Sequence, residues 1–227
     1  MEAVSGTRQL TMPSWRIQHV AGDAAAFHGR DLPADERLAS FFTVDSAALV
    51  LGSSQGQESV DADAAALQGV EIVRRRSGGG GVLLLPGEFV WLDLEMTDGD
   101  ELWSDDVGKA MWWVGELWRS ALADLSPLAS VHRGRLIHTR WSADVCFAGT
   151  GPGEVMLSGA KLVGIAQRRT RHAARFQTMV HLQWRPDVVA SLVAGSPSIE
   201  ELAPLVRTCP ATAGDIVARL TTALSHL

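Results

Sequence analysis

Residues 70–85 read VEIVRRRSGGGGVLLL, and this stretch decides the fold more than any other part of the chain. Residues 70–73 alternate between apolar and charged side chains, which is the pattern of a β-strand. Residues 82–85 form an uninterrupted apolar run, which predicts a second strand. Four glycines join the two, and their backbone can approach a ligand closely because glycine has no Cβ.

The glycine-rich connection has two interpretations. With three arginines before it, its amides and guanidinium groups can bind a carboxylate or a phosphate. Alternatively, it is a flexible surface turn whose arginines are solvated. The common phosphate motifs do not match, because the sequence lacks the P-loop pattern GxxxxGK[ST] and because a strand, not a helix, follows the glycines.

The rest of the chain contains further strand-like segments, each with an apolar run or an alternating pattern. They are residues 47–52, 88–94, 155–157, 162–165 and 178–182. The sequence therefore predicts an α+β fold with a mixed, largely antiparallel β-sheet flanked by helices. A short helical C-terminal tail is expected over about residues 196–227. No internal repeat or linker divides the chain, so we expect a single domain over residues 1–227.

The clearest helical pattern begins at Ser104, whose hydroxyl is expected to cap the first free amides. The apolar face of this helix is predicted at helical spacing and consists of Val107, Met111, Val114 and Trp118. The adjacent Trp112 and Trp113 are expected in the core rather than on a stacking platform for a ligand. In the tail, two short helices are expected at about 199–206 and 211–225.

Composition restricts the class of protein. A chain of 227 residues can bury a sizeable core without a metal or a disulfide. The net charge of −6 argues against an indiscriminate nucleic-acid binder, and no apolar run is long enough for a membrane span. Residues 1–20 lack the pattern of a secretion signal. The two cysteines, Cys146 and Cys209, lie 63 positions apart, which fits neither a disulfide framework nor a zinc site. We therefore expect a cytoplasmic protein without a metal of its own.

Three segments together resemble the biotin/lipoate protein ligase family, in its lipoate ligase and octanoyltransferase branch. Residues 74–82, RRRSGGGGV, are similar to the RRxSGGGAV segment of lipoate ligases. Residues 51–55, LGSSQ, are similar to a short Gly-x-x-Gln turn of the family. Residues 159–167, GAKLVGIAQ, match the family pattern G-x-K-[IV]-x-G-x-A-[QY] closely. The segments occur in the family's order, and the resemblance covers roughly residues 10–225.

The resemblance implies a biotin/lipoate-ligase-like fold with an acyl site that is lined by the glycine segment. Lys161 and Cys146 are the implied catalytic residues. One group of octanoyltransferases carries a Cys-Phe pair just upstream of the lysine motif, and Cys146-Phe147 begins 15 positions before Lys161. The implied residues for binding the substrate or a nucleotide are Arg75, Arg76, Ser77, Gly78, Gly79, Gly80, Gly81, Val82, Gly159 and Gly164.

Two chemistries compete within the family. Octanoyltransferases form a thioester on their own cysteine and need no tightly bound cofactor, whereas ligases activate free lipoate with ATP and Mg²⁺. The Cys-Phe pair favours the transferase by a small margin. The four glycines favour the ligase, because the transferases usually carry arginine or lysine after two glycines. A third alternative is a catalytically silent protein that only binds a lipoyl-type ligand or a carrier, because residues 83–85 and 176–178 replace two histidine-containing segments of the family.

The implied partners are lipoyl-domain proteins, namely the E2 subunits of dehydrogenases and the glycine cleavage H protein. Acyl carrier protein or free lipoate is the implied acyl source, and we expect no nucleic-acid and no membrane partner. A basic stretch is either a solvated loop or a docking patch for such acidic carriers. It contains Arg168, Arg169, Arg171, His172 and Arg175.

Elementary chemistry bears on the two implied catalytic residues. Cys146 is either the nucleophile or, as free cysteines usually are, a small buried apolar residue. A nearby cation favours the reactive thiolate, and Lys161 is the expected cation, which can also stabilise an oxyanion. Apolar neighbours predict that Lys161 lies in a partly buried strand, where an unpaired ammonium is costly, so we expect a bound anionic or carbonyl partner. Cys209 is expected to be structural.

Overall fold

The structure is a computed structural model that describes residues 14–32 and 36–227. The expectation that the chain lacks a secretion signal concerns residues 1–20. Most of that segment, residues 1–13, lies outside the described residues. Within the two described ranges, no helix combines the length and the apolar character needed to cross a lipid bilayer.

The described residues form ten β-strands and six α-helices. The strands are β1 (Arg16–Gly22), β2 (Leu38–Val44), β3 (Ala48–Leu51), β4 (Glu71–Arg74), β5 (Val82–Leu84), β6 (Phe89–Thr97), β7 (Ser130–Val131), β8 (Val155–Leu157), β9 (Ala160–Arg169) and β10 (Ala173–His181). The helices are α1 (Ala24–Gly29), α2 (Ala62–Leu67), α3 (Trp112–Ala121), α4 (Pro186–Leu192), α5 (Ile199–Leu202) and α6 (Ala213–Leu224). Every strand predicted from the sequence is present, with bounds that differ by a few residues.

The strands pair into two sheets across the described part of the chain. The larger has seven strands in the order β1-β2-β6-β10-β9-β8-β7, and the smaller has three in the order β4-β3-β5. Strands β1 and β2 pair in parallel, as do β3 and β4, and the other pairs are antiparallel. The predicted α+β fold with a mixed, largely antiparallel sheet is confirmed. The glycine-rich loop joins the two edge strands of the smaller sheet, so it crosses the end of β3.

Strand β6 divides the core, because its alternate side chains point to opposite faces of the larger sheet. Leu92 and Leu94 join an apolar cluster with α3 and α6. Trp91 joins a second cluster that includes Val50 and Leu84 of the smaller sheet. Burial of each such side chain contributes about 1.5–3 kcal/mol. The two clusters therefore hold the helices on one face and the smaller sheet on the other.

The predicted helix start at Ser104 is wrong. Helix α3 begins at Trp112, after one turn of 3-10 helix over Lys109–Met111. The Ser104 hydroxyl donates to the Asp106 carbonyl, and the Asp106 carboxylate accepts from the amides two and three residues ahead. These local bonds satisfy the backbone in a turn rather than in a helix. Val107, predicted on the apolar face, is consequently 53% exposed.

The apolar face of α3 is otherwise as predicted. Val114 and Trp118 are fully buried against the larger sheet. Trp113 packs on the same cluster and makes an edge contact with Phe176, with ring centroids 5.4 Å apart. The preference for core packing over a stacking platform is therefore confirmed for Trp113.

The C-terminal tail is helical, as predicted, but it is also part of the core. Helices α5 and α6 lie within the two predicted ranges. The buried face of α6 consists of Ile216, Leu220 and Leu224, which join the same cluster as α3. Before α6, the Arg207 amide donates to the Lys161 carbonyl over 2.8 Å. The tail therefore supports the strand that carries Lys161.

Candidate active site

The glycine-rich loop packs directly against the segment that carries Cys146. The Gly81 amide donates to the Asp144 carbonyl over 2.8 Å, and the Cys146 amide donates to the Gly81 carbonyl over 2.9 Å. A Cβ at Gly80 would lie 2.8–2.9 Å from backbone atoms of residues 144–146. The loop is glycine-rich at this point because two backbones meet there. At Gly80 and Gly81 the loop is therefore not a free surface turn, whereas Gly78 and Gly79 are exposed.

Arg75 links the loop to the thiol of Cys146. The Arg75 side chain is buried, and its Nη2 donates to the carbonyls of Gly78 and Gly80 over 2.8 and 2.9 Å. The same nitrogen lies 3.7 Å from Sγ of Cys146. A buried cation at this distance can interact with negative charge that develops on the sulfur during a reaction. Arg75 is a cation that contacts the sulfur, while Lys161 contacts the backbone carbonyl of the same residue, and the predicted role of Lys161 beside the thiol stays a prediction.

Cys146 lies where two spaces in the protein meet. It begins a single turn of 3-10 helix, Cys146–Ala148, and it is half-buried and unpaired. It lines both an apolar pocket and a wider cleft, and so do Ile165 and Ala166. The pocket and the cleft therefore adjoin at these three residues. A nucleophile in this position can contact an acyl group in the pocket and a second substrate in the cleft.

The apolar pocket lies between the two sheets. Its walls come from both of them and include Val50, Val82, Leu84, Trp91, Ile165 and Met179. Gly164 also lines the pocket, and a Cβ there would lie 2.9 Å from the ring of Phe147. The ring therefore needs the glycine in order to form part of the wall. Such an apolar enclosure suits the alkyl chain of a fatty acyl group.

One side of the apolar pocket is polar but uncharged. The Ser77 hydroxyl donates to Oε1 of Gln177 over 2.8 Å, and Nε2 of Gln177 lies 3.0 Å from Nδ1 of His28. Burial, reinforced by three nearby arginines, lowers the pKa of His28 to about 3. His28 is therefore neutral at physiological pH. Since Gln177 donates to Nδ1, the imidazole carries its proton on Nε2.

Lys161 has its partners within the chain. Its side chain is 2% exposed, and Nζ lies 2.7 Å from the carboxylate of Glu154. The ammonium also donates to the Cys146 carbonyl over 2.8 Å and lies 5.3 Å from the ring centroid of Phe147. The sequence correctly predicted that this ammonium needs a partner. Within the described residues the partners are a carboxylate and a carbonyl of the chain itself, and a bound ligand beside this ammonium stays a prediction.

The cleft is much larger than the apolar pocket, with a volume of about 880 Å³ against about 50 Å³. Residues 78–80 and Lys161 both line it. Gln167 lines the same wall, and among the described residues neither polar atom of its amide has a hydrogen-bond partner. Both of these polar atoms are buried.

Two of the predicted site residues lie outside this arrangement. Arg76 is exposed, lines neither space, and pairs with Asp31 over 3.1 Å. Gly159 has φ +81° and, with Ser158, forms the tight turn between β8 and β9. The turn requires this glycine, because a left-handed backbone is costly for other residues. The structure brings the other predicted residues around Cys146 and Lys161.

The predicted basic docking stretch is not one exposed patch. Arg175 is buried and pairs with Glu95. Arg168 and Arg169 are half-buried and donate to backbone carbonyls elsewhere in the chain. Of the predicted stretch, residues 171–172 alone are exposed, in the turn between β9 and β10. The basic residues do not share one surface, because alternate residues of paired strands point to opposite faces.

Residues 18–204 match a family sequence model, which is described as the lipoyl protein ligase A/B catalytic domain. The chain belongs to this family. The match includes the glycine segment, Cys146 and the lysine motif, which is the resemblance that the sequence predicted. A search of curated proteins found none that matches.

Solved structures of lipoyl ligases share the fold. A putative lipoate protein ligase from T. acidophilum with bound lipoic acid is 15% identical, with a TM-score of 0.70 over 95% of this chain and 86% of that one. A lipoate-protein ligase A bound with ATP is 17% identical, with a TM-score of 0.71 over 95% and 85%. A bi-partite ligase from Thermoplasma acidophilum, described with its E2 lipoyl domain, is 14% identical, with a TM-score of 0.70 over 95% and 83%.

Membership of the lipoyl ligase family supports an enzyme of the ligase or transferase class that acts in lipoyl attachment. Across residues 14–32 and 36–227, no group of three or more His, Cys, Asp or Glu side chains is arranged to hold a metal ion.

Three residues of this site were not predicted from the sequence. Glu154 lies seven positions before Lys161. A tight turn at residues 158–159 separates Glu154 from Lys161. This turn could have indicated that side chains on its two sides, such as these, lie close together. His28 and Gln177 lie 149 positions apart, and no local pattern connects them.

Proposed function

We propose that this lipoyl ligase family member transfers an octanoyl or lipoyl group from a carrier thioester to a lysine of a lipoyl domain, through a thioester on Cys146. One observation carries the proposal. The Cys146 sulfur lies at the junction of the apolar pocket and the cleft, with the buried Arg75 guanidinium 3.7 Å away. A cysteine that is only a packing residue needs neither an adjacent cation nor access to two spaces.

In the first step, the Cys146 thiolate attacks the carbonyl carbon of the donor thioester. A new C–S bond forms to Cys146, the donor's C–S bond breaks, and the donor thiol takes up the proton that Cys146 lost. Exchange between two thioesters is nearly balanced in energy, so covalent catalysis divides the transfer into two accessible steps. The apolar pocket holds the alkyl chain, and Arg75 stabilises the thiolate before attack and after departure.

In the second step, the neutral amine of the acceptor lysine enters through the cleft and attacks the same carbonyl carbon. The amide C–N bond forms, the bond to the Cys146 sulfur breaks, and the proton released by the amine returns to the thiolate or to solvent. Lys161 and Glu154 act here as positioning residues. The Lys161 ammonium holds the Cys146 carbonyl over 2.8 Å, which fixes the backbone that presents the sulfur.

Family membership and the related structures support the choice of partners. The T. acidophilum relative is described with bound lipoic acid, and the bi-partite ligase is described with an E2 lipoyl domain. We propose E2 lipoyl domains and the glycine cleavage H protein as acceptors, and acyl carrier protein as the donor.

An ATP-dependent ligase is the second candidate, and the size of the cleft favours it. A volume of about 880 Å³ beside residues 78–80 has room for a nucleotide, and a related ligase is described as bound with ATP. The charges fit a triphosphate poorly, however. Lys161 is the one lysine or arginine among the described residues that line the cleft, and Glu154 already neutralises it. A triphosphate is bound most strongly by unpaired cations.

Intact mass spectrometry tests the proposal directly. The protein is incubated with octanoyl-acyl carrier protein, and we expect one octanoyl adduct that hydroxylamine removes, as it does a thioester. Cys146→Ser should abolish this adduct. Cys209→Ser is the matched control, because Cys209 is buried in the apolar cluster and burial raises the pKa of its thiol. This variant should load like the unaltered protein.

The same preparation separates the alternatives. Octanoylation of an E2 lipoyl domain that requires ATP and survives Cys146→Ala would establish the ligase and overturn the transferase. If neither acylation of Cys146 nor ATP-dependent labelling of the lipoyl domain takes place, the protein is a silent binder of a lipoyl-type ligand or carrier.

A further inference from the structure

An exposed strip of basic and apolar residues lies along the segment that carries Cys146. This strip, residues 133–140, reads RGRLIHTR, and every residue in it is exposed. Leu136 and Ile137 are 53% and 52% exposed although they are adjacent and large. Leu136 and His138 also line the cleft. The strip is therefore part of the rim through which an acceptor must enter.

Backbone bonds hold the strip in place beside the nucleophile. The Ile137 amide donates to the Thr150 carbonyl over 2.8 Å, and the Thr150 amide donates back over 3.0 Å. The Thr139 hydroxyl donates to the Ala148 carbonyl over 2.9 Å. Thr150 and Ala148 follow Cys146 within four residues. The apolar side chains are thus presented to solvent by a ladder of hydrogen bonds that begins at the catalytic segment.

The charge of the strip is opposite to that of the whole chain. No acidic residue occurs between Asp124 and Asp144, although the chain carries a net charge of −6. Arg133 and Arg140 pair with single carboxylates but remain 55% and 74% exposed. Arg135 makes no ion pair within the described part of the chain. A basic surface with an apolar centre is complementary to an acidic protein with an apolar patch.

We propose that residues 133–140 form the docking surface for the acceptor, an acidic lipoyl domain whose modified lysine then enters the cleft. This inference rests on the proposed function and names the surface that the acceptor uses. Leu136 and Ile137 contact apolar side chains beside the acceptor lysine, and Arg135 contacts acidic ones. The basic stretch at residues 168–175 does not provide this contact, because it is not one exposed surface.

Binding and transfer are measured separately. Binding is titrated with an isolated E2 lipoyl domain of net negative charge against the Cys146→Ser protein, so that no reaction takes place. Arg135→Glu should weaken binding about tenfold and reduce its dependence on salt. Ile137→Ser should also weaken binding, without changing the salt dependence, because it removes apolar contact only.

Transfer is measured in a single turnover. Cys146 is first loaded from octanoyl-N-acetylcysteamine, a small donor that does not need a docking surface, and the lipoyl domain is then added. Strip variants should load at the normal rate, which shows that they are folded, and should transfer with a raised half-saturating concentration of lipoyl domain. Arg171→Glu and Leu67→Ser are the matched controls, since Arg171 is exposed and Leu67 is 90% exposed away from the cleft.

The outcomes for the two proposals are distinguishable. If strip variants bind and accept the lipoyl domain as the controls do, the docking surface is refuted even when Cys146 loads normally. If Cys146 never loads but the strip variants weaken binding, the docking surface stands and the transfer through Cys146 is refuted.

Discussion

Both carboxylate oxygens of Glu154 lie 2.7 Å from Nζ of Lys161, and the two side chains are 3% and 2% exposed. The Glu154 carboxylate also accepts from the amides of Gly151 and Ile165 over 2.6 and 3.2 Å. The pair therefore joins the loop before β8, strand β9 and, through the Cys146 carbonyl, the nucleophile's segment. One buried ion pair sets the position of three parts of the site.

We expect either half of this pair to be costly to remove alone. Glu154→Gln or Lys161→Met leaves one buried charge without its partner and should lower the free energy of unfolding by about 3–5 kcal/mol. The double variant should recover a large part of that loss, because no unpaired charge remains. Urea denaturation of the four proteins gives the coupling energy. Additive losses would show that the two groups are not coupled.

Arg75 should control the reactivity of Cys146. In a Cys209→Ser background, Arg75→Met removes the guanidinium beside the sulfur, and alkylation of Cys146 by iodoacetamide at pH 7 should slow about tenfold. Arg75→Lys keeps a positive charge but cannot make both loop contacts, so its rate should be intermediate. The free energy of unfolding is measured alongside to separate reactivity from loss of structure. Equal rates for the methionine variant and the parent would remove Arg75 from the mechanism.

Two neighbouring glycines should respond differently to the same substitution. Gly80→Ala places a Cβ 2.8–2.9 Å from the backbone of residues 144–146, whereas a Cβ at Gly78 meets nothing within 4 Å. We expect Gly80→Ala to destabilise the protein by about 1–3 kcal/mol through overpacking. Gly78→Ala should be neutral or stabilising by less than about 1 kcal/mol. Thermal unfolding of both variants provides the comparison, and similar shifts would contradict the close approach of the two backbones.

His181 should make the free energy of unfolding depend on pH. Burial lowers the pKa of His181 from 6.5 to about 3, while in the unfolded chain the imidazole titrates normally. Between these two values only the unfolded state binds the proton, so the protein loses stability as the pH falls below about 6.5. The contribution is about 1.4 kcal/mol for each pH unit.

Replacing His181 should make the free energy of unfolding less dependent on pH. His181 packs among aromatic rings, with Phe147 and Trp184 centroids 4.6 and 5.1 Å away. His181→Phe should reduce the loss of unfolding free energy between pH 7 and pH 5 by about 2 kcal/mol. Denaturation curves at the two pH values measure it. Parallel curves for the variant and the parent would mean that the buried imidazole does not titrate as described.

Local patterns were sufficient for much of the fold. Strand β6 was predicted from the alternation in residues 88–94, and the pair of strands around the glycines from residues 70–85. The helix after Ser104 failed at its start, because Asp106 bonds to nearby amides and holds a turn there. Competition between a side chain and the helix for the same amides is not visible in hydrophobic spacing.

Lys161, Cys146 and the glycine segment could be found in the chain itself, because each belongs to a short motif whose residues are neighbours in sequence. Their pairing belongs to the tertiary structure. Arg75 lies beside the sulfur, and Glu154 neutralises the Lys161 ammonium. The packing of strands and loops places side chains within a few ångströms of one another, and it thereby determines which charged groups form pairs. Coulomb energy depends on that distance and on burial, and residue order specifies neither.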